Sequence, residues 1–245
     1  MNQPLIILIL CGDTNRAKAY LTKLTEMKDV TFKGLIYGVR DLEVPQEKTI
    51  LEEHTKAYFI ENKLTIPNLD ESIVTGFKKR NWEHEIITER NVNSIEVIEK
   101  INSFNADIVV FAGYGGQLLG KDHFIKGTKY LHCHPGWLPK ERGSTTLYYS
   151  LLNDYELSVT AFYMTAEIDQ GSMVLRKSFP IPSNLVNIDI WIDNGLRADC
   201  LFDSLQAIIN SEPEFVAEVD EENMEYYVIH PLLKHISLLS LELKK

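Results

Sequence analysis

The sequence predicts an α/β fold, a doubly wound, mostly parallel β-sheet with a small C-terminal α+β extension. Two observations lead to this prediction. Short apolar runs alternate with segments of helical periodicity over the first part of the chain, which is the pattern of successive βαβ units. From about residue 156 onward, two strand-like runs follow one another with only a loop between them, which predicts an antiparallel edge. We expect a main domain over residues 1–185 and an accessory segment over residues 186–245.

The first half of the chain supplies four predicted strands and three predicted helices. The strands are short apolar runs, most of them followed by turn residues: Leu5–Leu10, Thr31–Tyr37, Glu85–Thr88 and Asp107–Ala112. The helices combine periodic apolar residues with capping signals: Ala17–Met27, Pro67–Trp82 and a helix capped by Asn93 or Ser94. The charged stretch from Val39 to Leu64 has no clear period and predicts no regular element.

The second half continues with further strands and one long helix. The predicted strands are Tyr130–His134, the two neighbouring runs Ser158–Met164 and Val174–Ile181, and a short run at Glu225–Ile229. A long helix is predicted over Ile188–Ile209, because its apolar residues recur at helical spacing. We find no internal repeat and no linker rich in proline, glycine or serine.

Composition limits the kinds of partner that the chain is expected to bind and indicates its cellular compartment. The formal net charge is −10 without any dense basic run, which argues against a nucleic-acid partner. Three cysteines without metal-type spacing indicate reduced thiols, and we expect a cytoplasmic protein. The apolar run Pro4–Leu10 has no basic residue before it and is too short to span a bilayer, so it predicts a buried strand and no membrane contact.

Two histidines mark the most informative segment of the chain. His132 and His134 lie two residues apart at the end of an apolar strand, where Pro135 and Gly136 open the sheet into a loop. Since side chains alternate along a strand, both rings should point to the same side. Asp169 follows downstream in an Asp-Gln-Gly segment. An acid that accepts a hydrogen bond from one ring nitrogen raises the basicity of the other, and this arrangement suits proton transfer to or from a reacting amine.

Simpler or different explanations exist for these motifs. A single histidine is more often structural than catalytic, and the combination with Asp169 is what favours a site. His-x-His plus an acid could bind zinc, but a further ligand has no obvious place in the sequence, so we expect no metal. The turn after the first strand lacks the spacing of a dinucleotide fingerprint. The glycines of Gly113–Gln117 would let a flat ligand approach bare backbone, although they would also suit a plain tight turn.

At this point the chain resembles the tetrahydrofolate-dependent formyltransferase family, most of all the sugar-nucleotide N-formyltransferases. The family signature, Asn-x-His-Pro-x-x-Leu-Pro-x-x-Arg-Gly, corresponds to His132–Gly143, and the later Asp-x-Gly loop corresponds to Asp169–Gly171. The resemblance extends from about Asn91 to Pro182. It implies a Rossmann-like formyltransferase fold, a catalytic domain over residues 1–185, and 10-formyltetrahydrofolate as formyl donor.

The resemblance also implies roles for individual residues. His134 matches the family's general base, and Asp169 matches the acid that orients it. Two segments match the residues around the pterin of the folate: Tyr114, Gly115, Gly116, Gln117 and Leu118, and Thr165, Ala166, Glu167 and Ile168. One position departs from the family, because the asparagine that donates to the formyl oxygen is His132 here. We expect His132 to take over this role, since an imidazole N–H also donates a hydrogen bond.

The substrate is narrowed by comparing members of the family. The absence of a basic stripe disfavours a methionyl-tRNA formyltransferase. The turn Cys11–Asn15 places Asp13 where a glycinamide ribonucleotide formyltransferase binds phosphate, which disfavours that activity. What remains is formylation of a nucleotide-linked amino sugar in bacterial surface-glycan synthesis, by a homodimer. The alternatives are a 10-formyltetrahydrofolate hydrolase, a glycinamide ribonucleotide-type formyltransferase despite Asp13, and a non-catalytic folate or sugar-nucleotide binding protein.

Overall fold

A computed structural model describes residues 4–39, 50–216 and 223–243. Its strands are β1 (Leu5–Cys11), β2 (Val30–Tyr37), β3 (Glu83–Ile87), β4 (Ile108–Ala112), β5 (Lys129–His134), β6 (Glu141–Gly143), β7 (Leu157–Tyr163), β8 (Met173–Phe179) and β9 (Met224–Tyr226). Its helices are α1 (Asn15–Leu24), α2 (Glu53–Glu61), α3 (Ile73–Lys79), α4 (Ile95–Ser103), α5 (Thr146–Asn153), α6 (Ile192–Ile209) and α7 (Pro231–Leu243). None of the helices in these ranges is both long and apolar enough to cross a membrane.

Seven strands form one sheet in the order β3-β2-β1-β4-β5-β7-β8. The strands β1 to β5 pair in parallel, whereas β7 runs antiparallel to β5 and β8 runs antiparallel to β7. The order reverses between β1 and β4, so the crevice beyond the carboxyl ends of β1, β4 and β5 is where this fold class binds its ligands. The predicted doubly wound, mostly parallel sheet with an antiparallel edge is confirmed.

The central strands are buried on both faces, which explains why they read as continuous apolar runs. On one face Ile7 and Ile9 pack with α1, α3 and α6. On the other face Leu8 and Leu10 pack with residues of α4. The first cluster includes residues on both sides of position 185, such as Leu131 of β5 and Leu196 of α6, and the division into 1–185 and 186–245 stays a prediction.

Several predicted elements differ in extent from the observed ones. The helix predicted over Pro67–Trp82 is α3 alone, because the Ser72 side chain caps its start by accepting from the Thr75 amide. The long helix starts at Ile192 instead of Ile188, and the strand near the C-terminus ends at Tyr226. The stretch Val39–Leu64 contains α2, while its residues 40–49 lie outside the described part. Helices α5 and α7 and strand β6 are additional to the predicted elements.

Candidate active site

The two histidines lie at the carboxyl end of β5, on one face of the sheet. Leu131 and Cys133, which alternate with them, lie in the hydrophobic cluster beneath α1 and α6. His132 and His134 therefore point to the opposite face, as the strand period predicts. The chain then turns through the loop from Pro135 to Lys140, in which the Leu138–Pro139 peptide is cis.

His134 is almost fully buried, and its two ring nitrogens have different partners. The ring is 2% exposed. Nε2 lies 2.5 Å from the carbonyl oxygen of Glu141 and 3.1 Å from Oγ1 of Thr146. Because a carbonyl oxygen only accepts, Nε2 carries the hydrogen, and Nδ1 has a free lone pair when the ring is neutral. Nδ1 lies 3.4 Å from Oδ2 of Asp169, so the structure brings together the imidazole and carboxylate that the sequence places 35 residues apart.

Asp169 is held in place by its own loop and by β6. Its Oδ2 accepts from the backbone amide of Gly143 at 2.7 Å. Asp169 itself has a left-handed backbone, with φ of 48°. Gly171 has φ of 139°, and a Cβ there would overlap the carbonyl oxygen of Tyr163. The Asp-x-Gly loop therefore needs glycine at this position to bring the carboxylate beside His134.

Burial and charge oppose each other at His134. Burial lowers the pKa of His134 below its ordinary value, and the Asp169 carboxylate acts in the opposite direction. When the ring is neutral, the lone pair of Nδ1 faces a carboxylate oxygen. A proton delivered to Nδ1 would lie between the ring and the carboxylate and would be stabilised by both. The pair is thus suited to taking up a proton during a reaction.

His132 has the opposite tautomer. The pairing of β4 with β5 ends at Leu131, and the carbonyl of Phe111 accepts instead from Nδ1 of His132 at 3.2 Å. Nδ1 therefore carries the hydrogen, and Nε2 makes no hydrogen bond to any residue in the described ranges. Burial, with the charges of Arg16 and Arg197, holds the pKa of His132 well below its ordinary value.

This tautomer bears on the donor role expected for His132. The neutral ring has its only N–H directed at the Phe111 carbonyl, so it has no hydrogen with which to replace the donor of the family's asparagine. Donation to a formyl oxygen would require protonation of Nε2, which the lowered pKa opposes. The contact with the Phe111 carbonyl argues against donation by the neutral ring, and the role expected for His132 stays a prediction.

Sequence analysis did not identify three polar residues whose hydrogen bonds hold the site in place. Glu141 is 2% exposed, and its Oε2 accepts from the Trp137 amide at 2.9 Å and from the Ser150 hydroxyl. Burial raises the pKa of its carboxyl. Thr160 accepts from the Leu138 amide, and Thr146 donates to a loop carbonyl. Glu141 lies between two basic residues, so its sequence surroundings gave no sign that it is buried.

The loop after β4 is only partly open to a ligand. The ring of Tyr114 covers Gly12, where any Cβ would overlap it, and the Arg90 guanidinium lies 4.5 Å from the ring centroid. The Gln117 side chain accepts from Tyr37 at 2.6 Å and donates to the Arg90 carbonyl at 2.8 Å. The residues that remain free to line a ligand are Gly115 and Gly116, with open space beside them, and Leu118, which is 57% exposed.

The second expected wall connects β7 to Asp169. Thr165, Ala166 and Glu167 are exposed and Ile168 is half-buried. Both walls border the same hydrophobic cluster, since Tyr114 and Met164 pack against it. A cavity of about 350 Å³ opens beside Asp169, lined by Leu138, Arg142 and Met173 among others. Within the described ranges, no group of three or more histidine, cysteine, aspartate or glutamate side chains is arranged to hold a metal ion.

Comparison with known proteins gives a family match. The formyl transferase family model matches residues 41–187. Methionyl-tRNA formyltransferase of Finegoldia magna is 37% identical over 159 residues, 62% of this chain and 46% of the relative. That of Bacillus velezensis is 30% identical over 175 residues, 69% and 51% of the two chains. The chain thus spans about half the length of these two curated relatives.

Solved structures share the fold at low sequence identity. A sugar N-formyltransferase from Shewanella superposes with a TM-score of 0.58 at 17% identity, covering 97% of this chain and 87% of that one. Phosphoribosylglycinamide formyltransferase from Campylobacter jejuni gives 0.56 at 17% identity, covering 84% and 97%. HypX from Aquifex aeolicus, in complex with tetrahydrofolic acid, gives 0.53 at 13% identity, covering 95% and 31%. At these identities the likeness shows the fold alone.

Proposed function

The chain belongs to the formyl transferase family, and on that premise we propose that it is a tetrahydrofolate-dependent N-formyltransferase. In this proposal the formyl group passes from 10-formyltetrahydrofolate to the amine of a nucleotide-linked amino sugar. The observation that carries the proposal is the 3.4 Å approach of Asp169 to Nδ1 of His134 at the carboxyl end of β5. This is the edge of the sheet where ligands bind in such folds.

The chemistry of amide formation explains why this pair matters. Attack of an amine on the formyl carbon produces a tetrahedral intermediate with negative charge on oxygen. We assign His134 and Asp169 to that charge: the imidazolium formed when Nδ1 of His134 takes up a proton would offset the negative charge on oxygen, and Asp169 would stabilise the imidazolium. Burial of both side chains strengthens such interactions relative to water.

For the donor, we propose that the folate lies between the loop after β4 and the segment before Asp169. Gly115 and Gly116 offer open backbone, and Leu118 offers exposed apolar surface for a flat ring. Thr165–Ile168 form the facing segment, in line with the family resemblance. HypX, which has the same fold, is known with tetrahydrofolic acid bound, and this supports a folate donor for the present chain.

The choice of an amino sugar is supported by the turn after β1. Tyr114 covers Gly12, and Asp13 lies 3.6 Å from Lys18, so a carboxylate and an aromatic ring lie where a phosphate would need bare amides. This disfavours a ribonucleotide phosphate at this turn. The net charge of −10 disfavours a tRNA, although the curated relatives described above are tRNA-modifying enzymes. The likeness to a sugar N-formyltransferase over 97% of the chain motivates the remaining choice.

Incubation with defined substrates tests the proposal. The purified protein would be mixed with 10-formyltetrahydrofolate and a panel of nucleotide-linked amino sugars, and products would be identified by mass spectrometry. We expect one amine to gain a formyl group while tetrahydrofolate is released, and a His134→Asn variant to show little turnover. Loss of the formyl group without any formylated amine would support the hydrolase alternative. Folate binding without turnover would support a non-catalytic binding protein.

Assembly and location are also part of the proposal. We propose a cytoplasmic homodimer, in which exposed apolar residues of α7 such as Leu232 and Leu233 contact a second copy. Light scattering on the purified chain would measure the mass in solution. A monomer at assay concentration would contradict this part and leave the chemistry untouched.

A further inference from the structure

We propose that Nε2 of His132 accepts the proton of the attacking amine. This inference rests on the proposed formyl transfer and assigns His132 a role different from that of the asparagine in the family signature. A histidine of the site can act as a base only if one of its ring nitrogens is available to a substrate.

The ring of His132 is fixed in orientation and in tautomer. Nδ1 donates to the carbonyl of Phe111 at 3.2 Å. The ring lies between Phe111, with centroids 5.9 Å apart, and Phe162, with centroids 6.0 Å apart. It is only half-buried, and Nε2 has no hydrogen-bond partner within the described part of the chain. The lone pair on Nε2 of His132 therefore has a fixed position and no hydrogen-bond partner in the described part of the chain.

His134 offers no equivalent atom. Its Nε2 hydrogen is committed to the Glu141 carbonyl, and its Nδ1 faces Asp169 at 3.4 Å. The ring is also 2% exposed, against a half-buried His132. Of the two rings, His132 is the one whose lone pair has no partner within the described part of the chain. An amine that reaches the site thus meets His132 as a base, whereas the lone pair of His134 is turned to the Asp169 carboxylate.

Burial and two charged groups on other elements keep His132 neutral. Burial acts most strongly, and Arg16 of α1 and Arg197 of α6 also favour the neutral ring, as would a protonated His134 on the same strand. Arg197 is held by Asp193 at 3.0 Å and by the Cys133 carbonyl at 3.3 Å. Since the nitrogen of a tetrahedral adduct carries a positive charge, its N–H is far more acidic than that of a free amine. A weak base at this position is therefore sufficient to remove the proton.

The step is balanced without any further reactant. The amine lone pair forms the new C–N bond, the C=O π pair moves onto oxygen, and the N–H proton passes to Nε2 of His132. On collapse, an oxygen lone pair restores the C=O bond, the bond from carbon to N10 of the folate breaks, and its electron pair stays on N10. The imidazolium of His132 then returns the proton to N10. The products are the formamide and tetrahydrofolate.

The variant His132→Asn separates this role from a donor role. Asparagine restores the family residue and its N–H donor but cannot accept a proton. Since general-base catalysis contributes about 100-fold to 10,000-fold, we expect kcat to fall by at least roughly 100-fold with little change in KM for the amine. The acidic limb of the kcat/KM pH profile should also disappear. His235→Asn, on the exposed surface of α7, is the matched control and should behave as wild type.

A second measurement covers the case in which the variant does not fold. Nitrogen NMR of the wild-type protein at neutral pH should show His132 protonated at Nδ1 and bare at Nε2. Full turnover by His132→Asn, or a hydrogen on Nε2 of the neutral wild-type ring, would overturn the inference. A wild-type protein that formylates no amine would instead overturn the proposed function itself, so the two failures are distinguishable.

Discussion

The coupling between Asp169 and His134 gives a prediction whose size follows from the structure. The change is Asp169→Asn, which removes the negative charge 3.4 Å from Nδ1 of His134. Asparagine keeps an oxygen that accepts from the Gly143 amide, so the loop should hold its position. The substitution therefore tests charge and leaves the geometry nearly intact.

The expected magnitude comes from Coulomb's law at this distance. Two unit charges 3.4 Å apart attract by about 5 kcal/mol at an effective dielectric constant near 20 and by about 1 kcal/mol in bulk water. Both side chains are mostly buried, with 3% and 14% exposed, so the larger value is the relevant upper bound. It corresponds to a fall of up to about three and a half in the pKa of His134. Since burial already lowers this pKa, the imidazolium becomes scarce at neutral pH.

Two measurements check the prediction. An NMR titration of His134 should show a lower pKa in Asp169→Asn than in wild type, and kcat/KM at neutral pH should fall by roughly 100-fold to 1000-fold. Asp154→Asn is the matched control, because it removes an ion pair with Lys140 at 2.7 Å that is more exposed and contributes little. If Asp169→Asn leaves both the titration and the turnover unchanged, the electrostatic coupling inferred from this contact does not exist.

Two further predictions concern the scaffold of the site. Gly171→Ala puts a Cβ against the Tyr163 carbonyl at a backbone φ of 139°, so the free energy of unfolding should drop by at least about 1 kcal/mol in denaturant titration. Gly115→Ala, with open space around its Cβ, is the control, and equal stability of the two variants would mean that the Asp169 loop relaxes without strain. Burial raises the pKa of Glu141 in the folded state, so its contribution to stability is full at acidic pH and is lost as pH rises through that pKa. When the melting temperature is measured from about pH 5 to about pH 8, it should therefore fall less in Glu141→Gln than in wild type. Melting temperatures that change with pH in the same way in both proteins would contradict this assignment.

The sheet could be predicted from sequence because its signals are local. Strands β1 and β4 are continuous apolar runs, and the antiparallel edge appears as two strand-like runs without a helix between them. The convergence of His134 and Asp169 was also predictable, since the spacing of the family motifs places both at the carboxyl edge of the sheet. In both cases the pattern and spacing of residues in the sequence, together with the fold class, are enough to make the prediction.

The features that escaped prediction depend on contacts between distant residues. Thr145, the residue before helix α5, has φ of 54° and its side chain does not cap the helix, so burial of Leu147 and Leu151 holds the helix in place of a cap. Strand β6 forms only by pairing with β9, some eighty residues later in the chain. The tautomer of His132 depends on the Phe111 carbonyl, which turns toward the ring where β4 and β5 separate.

The C-terminal segment is part of the scaffold that positions Asp169. The amide that holds this carboxylate belongs to Gly143, which pairs with Tyr226 of β9 and has no room for a Cβ because the Tyr226 carbonyl lies against it. Tyr226 is in turn anchored to α5, where its ring stacks on Tyr149 at 4.3 Å and its hydroxyl accepts from Asn153. A displacement of β9 would therefore move the Gly143 amide, then Asp169, and then the charge beside His134. Because these links are short and directional, the chemistry at the end of β5 depends on packing that begins about eighty residues further along the chain.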